Sequence, residues 1–318
     1  MLIGPQVTNL PHKLVAVVGP TGSGKSELGL RIASSFGGEI VGCDSVQLYR
    51  HFDIGSGKLP IEQRRGITHY LIDVLEPGEI CSAGDYARRA RILLGEIAAR
   101  GRLPVVVGGT GFYLRALLEG LFPGPARDGG MRMRLMEREG RRAGSLHRIL
   151  KRLDPGAAGK IHSKDVQKTV RALEMRLLER QPLSQLFERG REPLVGFRAI
   201  KIGLDPPREE LYRSTDARLA RMFEGGLLEE VRSILASGVS RAAKPFETLG
   251  YKQALAAVEG RMTATEALAS AQMETRRYAK RQMTWFRREG DVSWLAGFGD
   301  GAAVTEAALA LVSARVSE

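Results

Sequence analysis

Short apolar runs alternate with segments of helical periodicity along the first third of the chain. The runs predict buried strands at residues 13–18, 39–43, 70–74 and 103–107. The segments that predict helices are 25–36, 82–100 and 111–119, and Ser82 with Asp85 forms a capping-box pattern at the start of the second. Because strands that alternate with helices pair in parallel, the pattern predicts an α/β fold with a mostly parallel, doubly wound sheet.

The alternation is interrupted once. Residues 122–130 are rich in Pro and Gly, and a strand-like segment returns only at 198–204. We therefore predict three parts: residues 1–122 as the first part of the core, 123–191 as an all-helical insertion domain, and 192–318 as the second part of the core. Within the last part, helices are predicted at 209–223, 227–236, 263–288 and 305–315.

Positive charge is concentrated in the predicted insertion. The chain of 318 residues has a formal net charge of +12, and residues 127–191 alone hold 17 basic and 8 acidic side chains. A polyanion needs clustered Lys and Arg, since the release of counterions supplies most of its sequence-independent affinity. The charge therefore indicates a nucleic acid partner, although a solvated Arg-rich helical surface would give the same count.

The segment after the first predicted strand matches a phosphate-binding loop. It fits the pattern G-x-x-x-x-G-K-[ST] between a strand and a helix, and its residues are Gly19, Pro20, Thr21, Gly22, Ser23, Gly24, Lys25 and Ser26. Such a loop turns main-chain N–H groups toward an anion, while the helix dipole and a lysine add positive charge. The hydroxyl of Ser26 can complete the shell of a Mg²⁺ ion that bridges two phosphates.

The ligand of this loop need not be a nucleoside triphosphate. Most NTPases with such a loop place a carboxylate at the end of a second apolar strand, but the candidate strand here continues as Gly108, Gly109 and Thr110. The sequence therefore argues against an NTPase, although an acidic residue from another part of the chain could supply the missing carboxylate. A diphosphate that is itself the leaving group needs the phosphate-binding loop but not the residues that act on a γ-phosphate.

The composition, the length of the apolar runs and the cysteine positions indicate the compartment in which the protein acts. Hydrophobic residues make up 43% and charged residues 26% of the chain, which is the balance of a folded protein. No apolar run approaches the roughly 20 residues that a bilayer requires, and the N-terminus lacks a signal-peptide pattern. Cys43 and Cys81 are too far apart to suggest a disulfide framework or a zinc site. We therefore expect a cytoplasmic protein that does not bind membranes. Separately, we expect it to be a monomer.

Motifs along almost the whole chain resemble those of one family, the bacterial tRNA dimethylallyltransferases, also called isopentenyl-tRNA transferases. Besides the phosphate loop, the matches are residues 44–49, 53–58, 69–73, 107–113, 154–165, 171–174 and 250–252, and the run TRRYAKRQMTWFR at 275–287. The resemblance implies a core with a helical insertion that grips the anticodon stem-loop of tRNA. It also implies transfer of a dimethylallyl group from dimethylallyl diphosphate to N6 of the adenosine 3′ of the anticodon, adenosine-37.

The resemblance also implies catalytic roles. Asp44 would be the base that takes a proton from the adenine amine, with a helix cap or a Mg²⁺ ligand as the alternative for this carboxylate. Thr21 and Arg218, with Lys25 and Ser26, would hold the leaving diphosphate. Without the family position, Arg218 would be read as a surface residue of a helix. The family usually has Arg-Ile where this chain has Ser214 and Thr215, so the packing of that helix is a point of departure.

By position in the family, one further set is expected to contact tRNA: Ser45, Val46, Gln47, Leu48, Thr110, Arg132, Gln167, Lys168, Arg171, Gly250, Tyr251, Lys252, Arg277, Lys280 and Arg281. Single-stranded loop bases are the ones that proteins can splay out and read. The alternatives are ordinary turn contacts for the loop residues and a solvated stripe for those on helices. Lys168 replaces a common Arg and so keeps the charge without the bidentate fork. We expect Trp285 and Phe286 to be core residues.

Two other classes of protein fit parts of this pattern. A small-molecule kinase with the same core would turn over ATP and would have no use for so basic an insertion. A noncatalytic RNA-binding switch would bind stem-loops and leave an allylic diphosphate intact. An assay that scores transfer of label from either donor to RNA separates the three.

Overall fold

The structure, a computed structural model, describes residues 11–122, 124–125, 127–183 and 190–317. The chain forms two compact units. One comprises Met1–Leu118 and Leu194–Glu318, and the other is Glu119–Pro193. The second unit begins and ends a few residues outside the insertion expected at 123–191.

The first unit is built on one six-stranded sheet in which every pairing is parallel, with the order β3-β2-β4-β1-β5-β6. Its strands are β1 (His12–Val18), β2 (Gly38–Gly42), β3 (His69–Tyr70), β4 (Leu103–Val107), β5 (Phe197–Leu204) and β6 (Val292–Leu295). The predicted α/β class with a parallel sheet is confirmed. Because β1 lies between β4 and β5, the loop that follows β1 emerges at the middle of the sheet's carboxyl edge, where such folds bind ligands.

The described residues contain twelve α-helices: α1 (Lys25–Ser35), α2 (Ala83–Ala99), α3 (Gly111–Leu118), α4 (Gly129–Arg141), α5 (Ser145–Leu153), α6 (Pro155–Lys160), α7 (Val166–Glu179), α8 (Arg208–Glu224), α9 (Leu227–Ala236), α10 (Tyr251–Val258), α11 (Ala264–Phe286) and α12 (Ala302–Val316). The capping box predicted at the start of α2 is confirmed, since Asp85 N donates to Ser82 Oγ at 3.1 Å and Ser82 N donates to Asp85 Oδ2 at 3.0 Å. Thr263 and Glu266 form the same box before α11.

The core of the first unit lies between the sheet and two helices that cover one of its faces. Val15 and Val17 of β1 and Val105 of β4 are fully buried there, together with Leu28 of α1 and Val312 of α12. Strands β1 and β4 are buried over continuous runs of residues, as their apolar sequences predicted. A rigid sheet of this kind fixes where its loops begin, so the residues at its carboxyl edge are held in place.

One predicted strand is wrong over most of its length. The segment 70–74 was expected to be a buried strand, but β3 ends at Tyr70. Leu71 and Asp73 have φ angles of 59° and 56°, which a strand does not accommodate. The Asp73 carboxylate instead accepts a hydrogen bond from Lys58 Nζ at 2.5 Å. The main-chain N–H groups of Asp73 and Val74 donate to Gln47 O at 3.1 Å and to Leu48 O at 2.8 Å, so this segment pairs with the loop after β2 and does not continue β3.

The second unit is helical in its described residues and has its own core. Helices α5, α6 and α7 bury Leu146, Leu150, Ala157, Val170 and Leu173 against one another. Helix α4 buries none of its residues and is anchored at its start, where Asp128 Oδ1 accepts from Met131 N at 2.8 Å. A small independent core of this kind keeps the basic residues of the unit on fixed helices.

No helix within the described ranges combines the length and the apolar character needed to cross a membrane.

Candidate active site

The phosphate loop leaves β1 at the carboxyl edge of the sheet and enters α1. Ser23 is fully buried, and its hydroxyl donates to Pro20 O at 2.8 Å, which closes the loop from within. Gly299 N donates to Ser23 O at 2.9 Å, so the segment before α12 supports the loop from outside. Within the described residues the Thr21 hydroxyl makes no hydrogen bond, and it is available to a ligand.

Lys25 lies inside this loop, where its Nζ donates to Pro20 O at 2.5 Å. Burial and the positive charge of Arg218 lower the pKa of Lys25 to about 7, and the negative charge of Asp44 opposes them. These interactions place Lys25, Arg218 and Asp44 in one site, as the sequence analysis predicted. Two cations face a single carboxylate there, so the free site holds excess positive potential suited to an anion.

Arg218 projects from α8 onto the loop between β2 and β3. A Cβ atom on Gly57 would lie 1.7 Å from Arg218 Nη2, and Gly57 has a φ of 62°, so this position requires glycine. Burial lowers the pKa of Arg218 and the charge of Asp44 raises it. Arg218 is half-buried against this loop, so it is more enclosed than a surface residue of a helix, and its role in the site stays a prediction.

Ser214 and Thr215, the two positions of α8 that depart from the family pattern, contact the phosphate loop. Ser214 Oγ donates to Gly22 O at 3.3 Å. Thr215 is 2% exposed, and its Cγ2 would lie 2.7 Å from a Cβ atom on Gly22. The two residues that differ from the family therefore support the loop here, one by a hydrogen bond and the other by close packing.

Asp44 directly follows the residue that leaves β2. Its Oδ1 accepts hydrogen bonds from Val46 N at 2.8 Å and from Gln47 N at 3.4 Å, which is the geometry of an Asx turn. Asp44 thus caps a turn and not a helix, and it does so with one oxygen. Within the described part of the chain its Oδ2 has no hydrogen-bond partner, so it remains free to accept a proton.

The loop after β4 is bonded to the loop that carries Asp44. Ser45 N donates to Thr110 Oγ1 at 3.1 Å, and Thr110 N donates to Cys43 O at 3.2 Å. Gln47 Nε2 donates to Ser56 O at 3.2 Å. Ser45, Gln47 and Thr110, which were predicted to contact tRNA, therefore share the edge that holds Asp44.

Two predicted tRNA contacts are wrong as side-chain contacts. Leu48 is 1% exposed and Tyr251 is 0% exposed, and both belong to the core. The Tyr251 hydroxyl accepts from Gly55 N at 3.0 Å and donates to Glu230 Oε1 at 2.5 Å. These exposures include the main chain, so neither residue is accessible to RNA in this structure. Gly250 is also buried, which corrects a third predicted contact, whereas Val46 is half-buried and Lys252 is exposed.

Two residues of α11 reach the site without having been singled out from the sequence. Burial and the negative charge of Asp44 raise the pKa of Tyr278 to about 12. Gln282 is 6% exposed and bonds to both Thr21 and Gly109. The signal for Gln282 was its place on the buried stripe of α11, in phase with Thr275 and Phe286. A polar residue on such a stripe needs a partner.

The other face of α11 carries exposed cations, as predicted. Arg277, Lys280 and Arg281 are exposed, and none of the three forms an ion pair within the described residues. The guanidinium of Arg281 lies 5.6 Å from the centroid of the Tyr278 ring. Phe286 is buried at 1% exposure, which confirms it as a core residue, whereas Trp285 is half-buried under the guanidinium of Arg115 at 4.3 Å.

In the second unit, Arg132 and Arg171 converge on one buried carboxylate. Glu174 is fully buried, and Arg132 Nε and Nη2 each donate to it at 2.9 Å while Arg171 Nη1 donates at 2.7 Å. Burial raises the pKa of Glu174, but hydrogen bonds from Arg132, Arg171 and Asp128 N outweigh it and bring the pKa to about 2. The prediction that these arginines are free to grip RNA needs correction, since much of their charge is neutralised within the unit.

Gln167 and Lys168 at the start of α7 are exposed. Lys168 Nζ lies 2.8 Å from Asp165 Oδ2, and Asp165 also caps the helix by accepting from Lys168 N at 3.1 Å. An exposed pair of this kind is weak and screened, so Lys168 can exchange the carboxylate for another anion.

Fold and site together define an α/β protein whose phosphate-binding loop lies opposite a carboxylate. The family model described as IPP transferase matches residues 47–289. A tRNA dimethylallyltransferase of Solibacter usitatus is 60% identical over 93% of this chain and 96% of its own length, and one of Koribacter versatilis is 52% identical over 94% and 97%. The chain belongs to the IPP transferase family.

Solved structures agree with this assignment. The full-length tRNA isopentenylpyrophosphate transferase of Bacillus halodurans is 33% identical, covers 96% of this chain and 97% of its own, and superposes with a TM-score of 0.71. A eukaryotic dimethylallyltransferase acting on tRNA covers 96% of this chain and 80% of its own with a TM-score of 0.83, at 24% identity. The latter likeness concerns the fold.

Proposed function

We propose that the protein transfers a dimethylallyl group from dimethylallyl diphosphate to N6 of adenosine-37 in tRNA, the adenosine 3′ of the anticodon. The observation that carries the proposal is the arrangement of Lys25 and Arg218 around a phosphate loop that faces Asp44. Family membership supports the substrates. In the reaction, the bond from N6 to C1 of the allyl group forms, the bond from C1 to the diphosphate oxygen breaks, and N6 loses a proton.

The cations of the loop would stabilise the departing diphosphate. Negative charge collects on the leaving oxygens as the allylic carbon becomes cation-like, and fixed donors stabilise that charge most in the transition state. Lys25 and Arg218 supply charge, the main chain of the loop supplies N–H groups, and the free hydroxyl of Thr21 can donate to the bridging oxygen. A bound diphosphate would also raise the pKa of Lys25 and keep it protonated.

Asp44 would serve as the base. The exocyclic amine of adenine is a poor nucleophile because its lone pair is delocalised into the ring, so removal of its proton as the new bond forms lowers the barrier. The Asx turn fixes the carboxylate through Oδ1 and leaves Oδ2 for the amine. The absence of a carboxylate at residues 108–110 after β4 argues against a kinase that would need one for its metal.

A Mg²⁺ ion suits this site as a partner of the diphosphate. The described residues contain no group of three or more His, Cys, Asp or Glu side chains that would form a cage, but Mg²⁺ with phosphates commonly takes only one or two protein ligands. Ser26 is exposed at the first turn of α1, so its hydroxyl fits that role. When bound, the ion would neutralise charge on the diphosphate.

We propose that the basic second unit and the exposed cations of α11 hold the anticodon stem-loop, while residues 45–47 and Thr110 contact the loop bases. Free thiols at Cys43 and Cys81 suit the reducing cytoplasm, where we expect the protein to act as a monomer.

One assay tests the proposal. Purified protein is incubated with Mg²⁺, unmodified tRNA and either labelled dimethylallyl diphosphate or ATP labelled in its γ-phosphate, and the label on RNA is scored. We expect transfer from the allylic donor alone, and nuclease digestion should release N6-isopentenyladenosine. Transfer from ATP, or binding of tRNA without any transfer, would overturn it.

A further inference from the structure

Gln282 is a buried amide with both of its polar atoms in use. Its Oε1 accepts a hydrogen bond from Thr21 N at 2.8 Å, and its Nε2 donates to Gly109 O at 2.8 Å. Both partners are main-chain groups, and they are 261 and 173 residues away in sequence. A buried amide costs free energy unless it is hydrogen-bonded. The hydrogen bonds to these two loops therefore explain why a glutamine lies on the buried face of α11.

The two loops that Gln282 joins are those that the proposed reaction needs to hold together. Thr21 belongs to the phosphate loop and offers its free hydroxyl to the leaving group. Gly109 precedes Thr110, whose Oγ1 accepts from Ser45 N next to Asp44. The chain of bonds therefore runs from the donor side of the site, through one amide, to the side that holds the proposed base.

The approach of α11 to the second loop leaves little freedom. A Cβ atom on Gly109 would lie 2.4 Å from Gln282 Nε2, and one on Gly111 would lie 2.3 Å from Trp285 Cδ1. Helix and loop are thus in van der Waals contact around the amide. A side chain of another length or polarity cannot make the same two bonds without moving one loop.

We propose that Gln282 is a positioning residue for prenyl transfer, which locks the main chain of Thr21 to the loop that supports Asp44. The inference rests on the proposed function. The amide acts through Thr21 and Gly109 and touches neither substrate itself. Misplacement of a catalytic group by about an ångström costs on the order of 100-fold in rate, so loss of the lock should lower kcat and leave KM for both substrates nearly unchanged.

The first test compares two methionine variants of the same helix. Gln282→Met keeps the length of the side chain and removes both hydrogen bonds. Gln272→Met is the matched control, because Gln272 also lies on α11 and donates to a main-chain oxygen, that of Asp216, at 3.1 Å. We expect kcat to fall about 10- to 100-fold in the first variant and to stay within about twofold in the second.

The second test uses a variant that can regain the lock. In Gln282→Glu, the new carboxylate still accepts from Thr21 N but repels Gly109 O, whereas the protonated acid can donate to that oxygen. The activity of this variant relative to the wild type should therefore recover as the pH is lowered, and that of Gln282→Met should not. A residue needed only for folding would not give this pH profile.

The third measurement is independent of turnover. Hydrogen exchange at the Thr21 amide, followed by NMR, should be faster in Gln282→Met than in the wild type and unchanged in Gln272→Met. If the wild type transfers label and Gln282→Met has the same kcat, or if Gln272→Met loses as much, the positioning role is wrong. If the wild type transfers no label, the proposed function fails. Independently of that result, exchange at Thr21 in Gln282→Met as slow as in the wild type would show that Gln282 does not hold the main chain of Thr21.

Discussion

The sheet edge of the first unit and the arginine cluster of the second use the same residue types in opposite ways. At the sheet edge, Lys25 and Arg218 share one carboxylate, Asp44, and burial and their mutual repulsion lower the pKa of the lysine to about 7. In the second unit, Arg132 and Arg171 surround a carboxylate with a pKa of about 2. Each carboxylate faces two cations, but within the described residues Asp44 accepts no hydrogen bond from Lys25 or Arg218, whereas both oxygens of Glu174 accept hydrogen bonds from guanidinium groups.

The difference separates binding from stability. A site whose cations lack hydrogen-bonded counter-ions destabilises the fold and gains free energy when an anion binds, while a buried cluster whose charges are hydrogen-bonded to one another adds rigidity and little affinity. We therefore expect Asp44 to matter for rate and Glu174 to matter for unfolding. Substitutions at single positions test this division between binding and stability.

The largest effect is expected for Asp44→Asn. Removal of a general base typically lowers turnover by about 10² to 10⁴, whereas the amide can still form the Asx turn and keep the fold. Single-turnover rates at saturating tRNA, with tRNA affinity measured in parallel, check this. The control is Asp205→Asn, at the end of β5, whose carboxylate pairs with exposed Arg287 at 3.1 Å. Equal losses in both variants would remove Asp44 from the role.

Glu174→Gln should instead destabilise the second unit. Removal of one partner of a buried ion pair costs about 3 to 5 kcal/mol, because the guanidinium groups of Arg132 and Arg171 are left without a counter-charge. Denaturant unfolding measures the loss, and Glu137→Gln at an exposed position of α4 is the control. In the wild type, the stabilisation should be present above pH 4.5 and lost as the pH falls toward about 2, since the folded pKa is depressed. A stable Glu174→Gln protein would contradict the division.

Lys25 should make anion affinity depend on pH. Above about pH 7 the free protein holds a neutral Lys25, and a bound anion must restore its proton, so affinity for inorganic diphosphate should fall by up to about tenfold per pH unit. Lys25→Arg stays charged throughout. The ratio of the two dissociation constants, measured by calorimetry with Mg²⁺ across neutral pH, cancels the titration of diphosphate itself. A constant ratio would show that Lys25 is already charged in the free site.

The smallest effect is expected for the exposed cations. Arg277→Ala should weaken tRNA binding a few-fold and reduce the slope of log K against log salt by about 1, as for one phosphate contact. Arg277→Lys keeps the charge and should keep the slope. If alanine leaves the slope unchanged, the exposed face of α11 is only a solvated stripe.

The sequence was informative where local rules decide the structure. The phosphate loop, the capping box at Ser82 and the long helix α11 follow from patterns within about thirty residues. The short edge strand β6 and helix α10 were not predicted, because four to eight residues carry too little periodicity. The strand expected at 70–74 ends at Tyr70, and the main chain of Asp73 and Val74 bonds instead to residues 47 and 48, a pairing that no local pattern records.

Within the candidate site, the functional residues were easier to predict from the sequence than their hydrogen-bond and ion-pair partners. Asp44, Lys25 and Arg218 come together as expected. The partners of Arg132 and Arg171 did not follow from the sequence, since Glu174 lies at helical spacing from Arg171 but 42 residues from Arg132. Gln282 was missed for the same reason: its two bonds exist only once the sheet has formed.

The supports of the phosphate loop have a consequence for synthesis on the ribosome. The loop is translated before Gln282 and Gly299, which hold it in the folded protein. Strand β5, which covers one side of β1, also follows the second unit in the chain. Strand β1 therefore has an unpaired edge during synthesis until β5 emerges, and the phosphate-binding loop gains its supports only after Gln282 and Gly299 have been made.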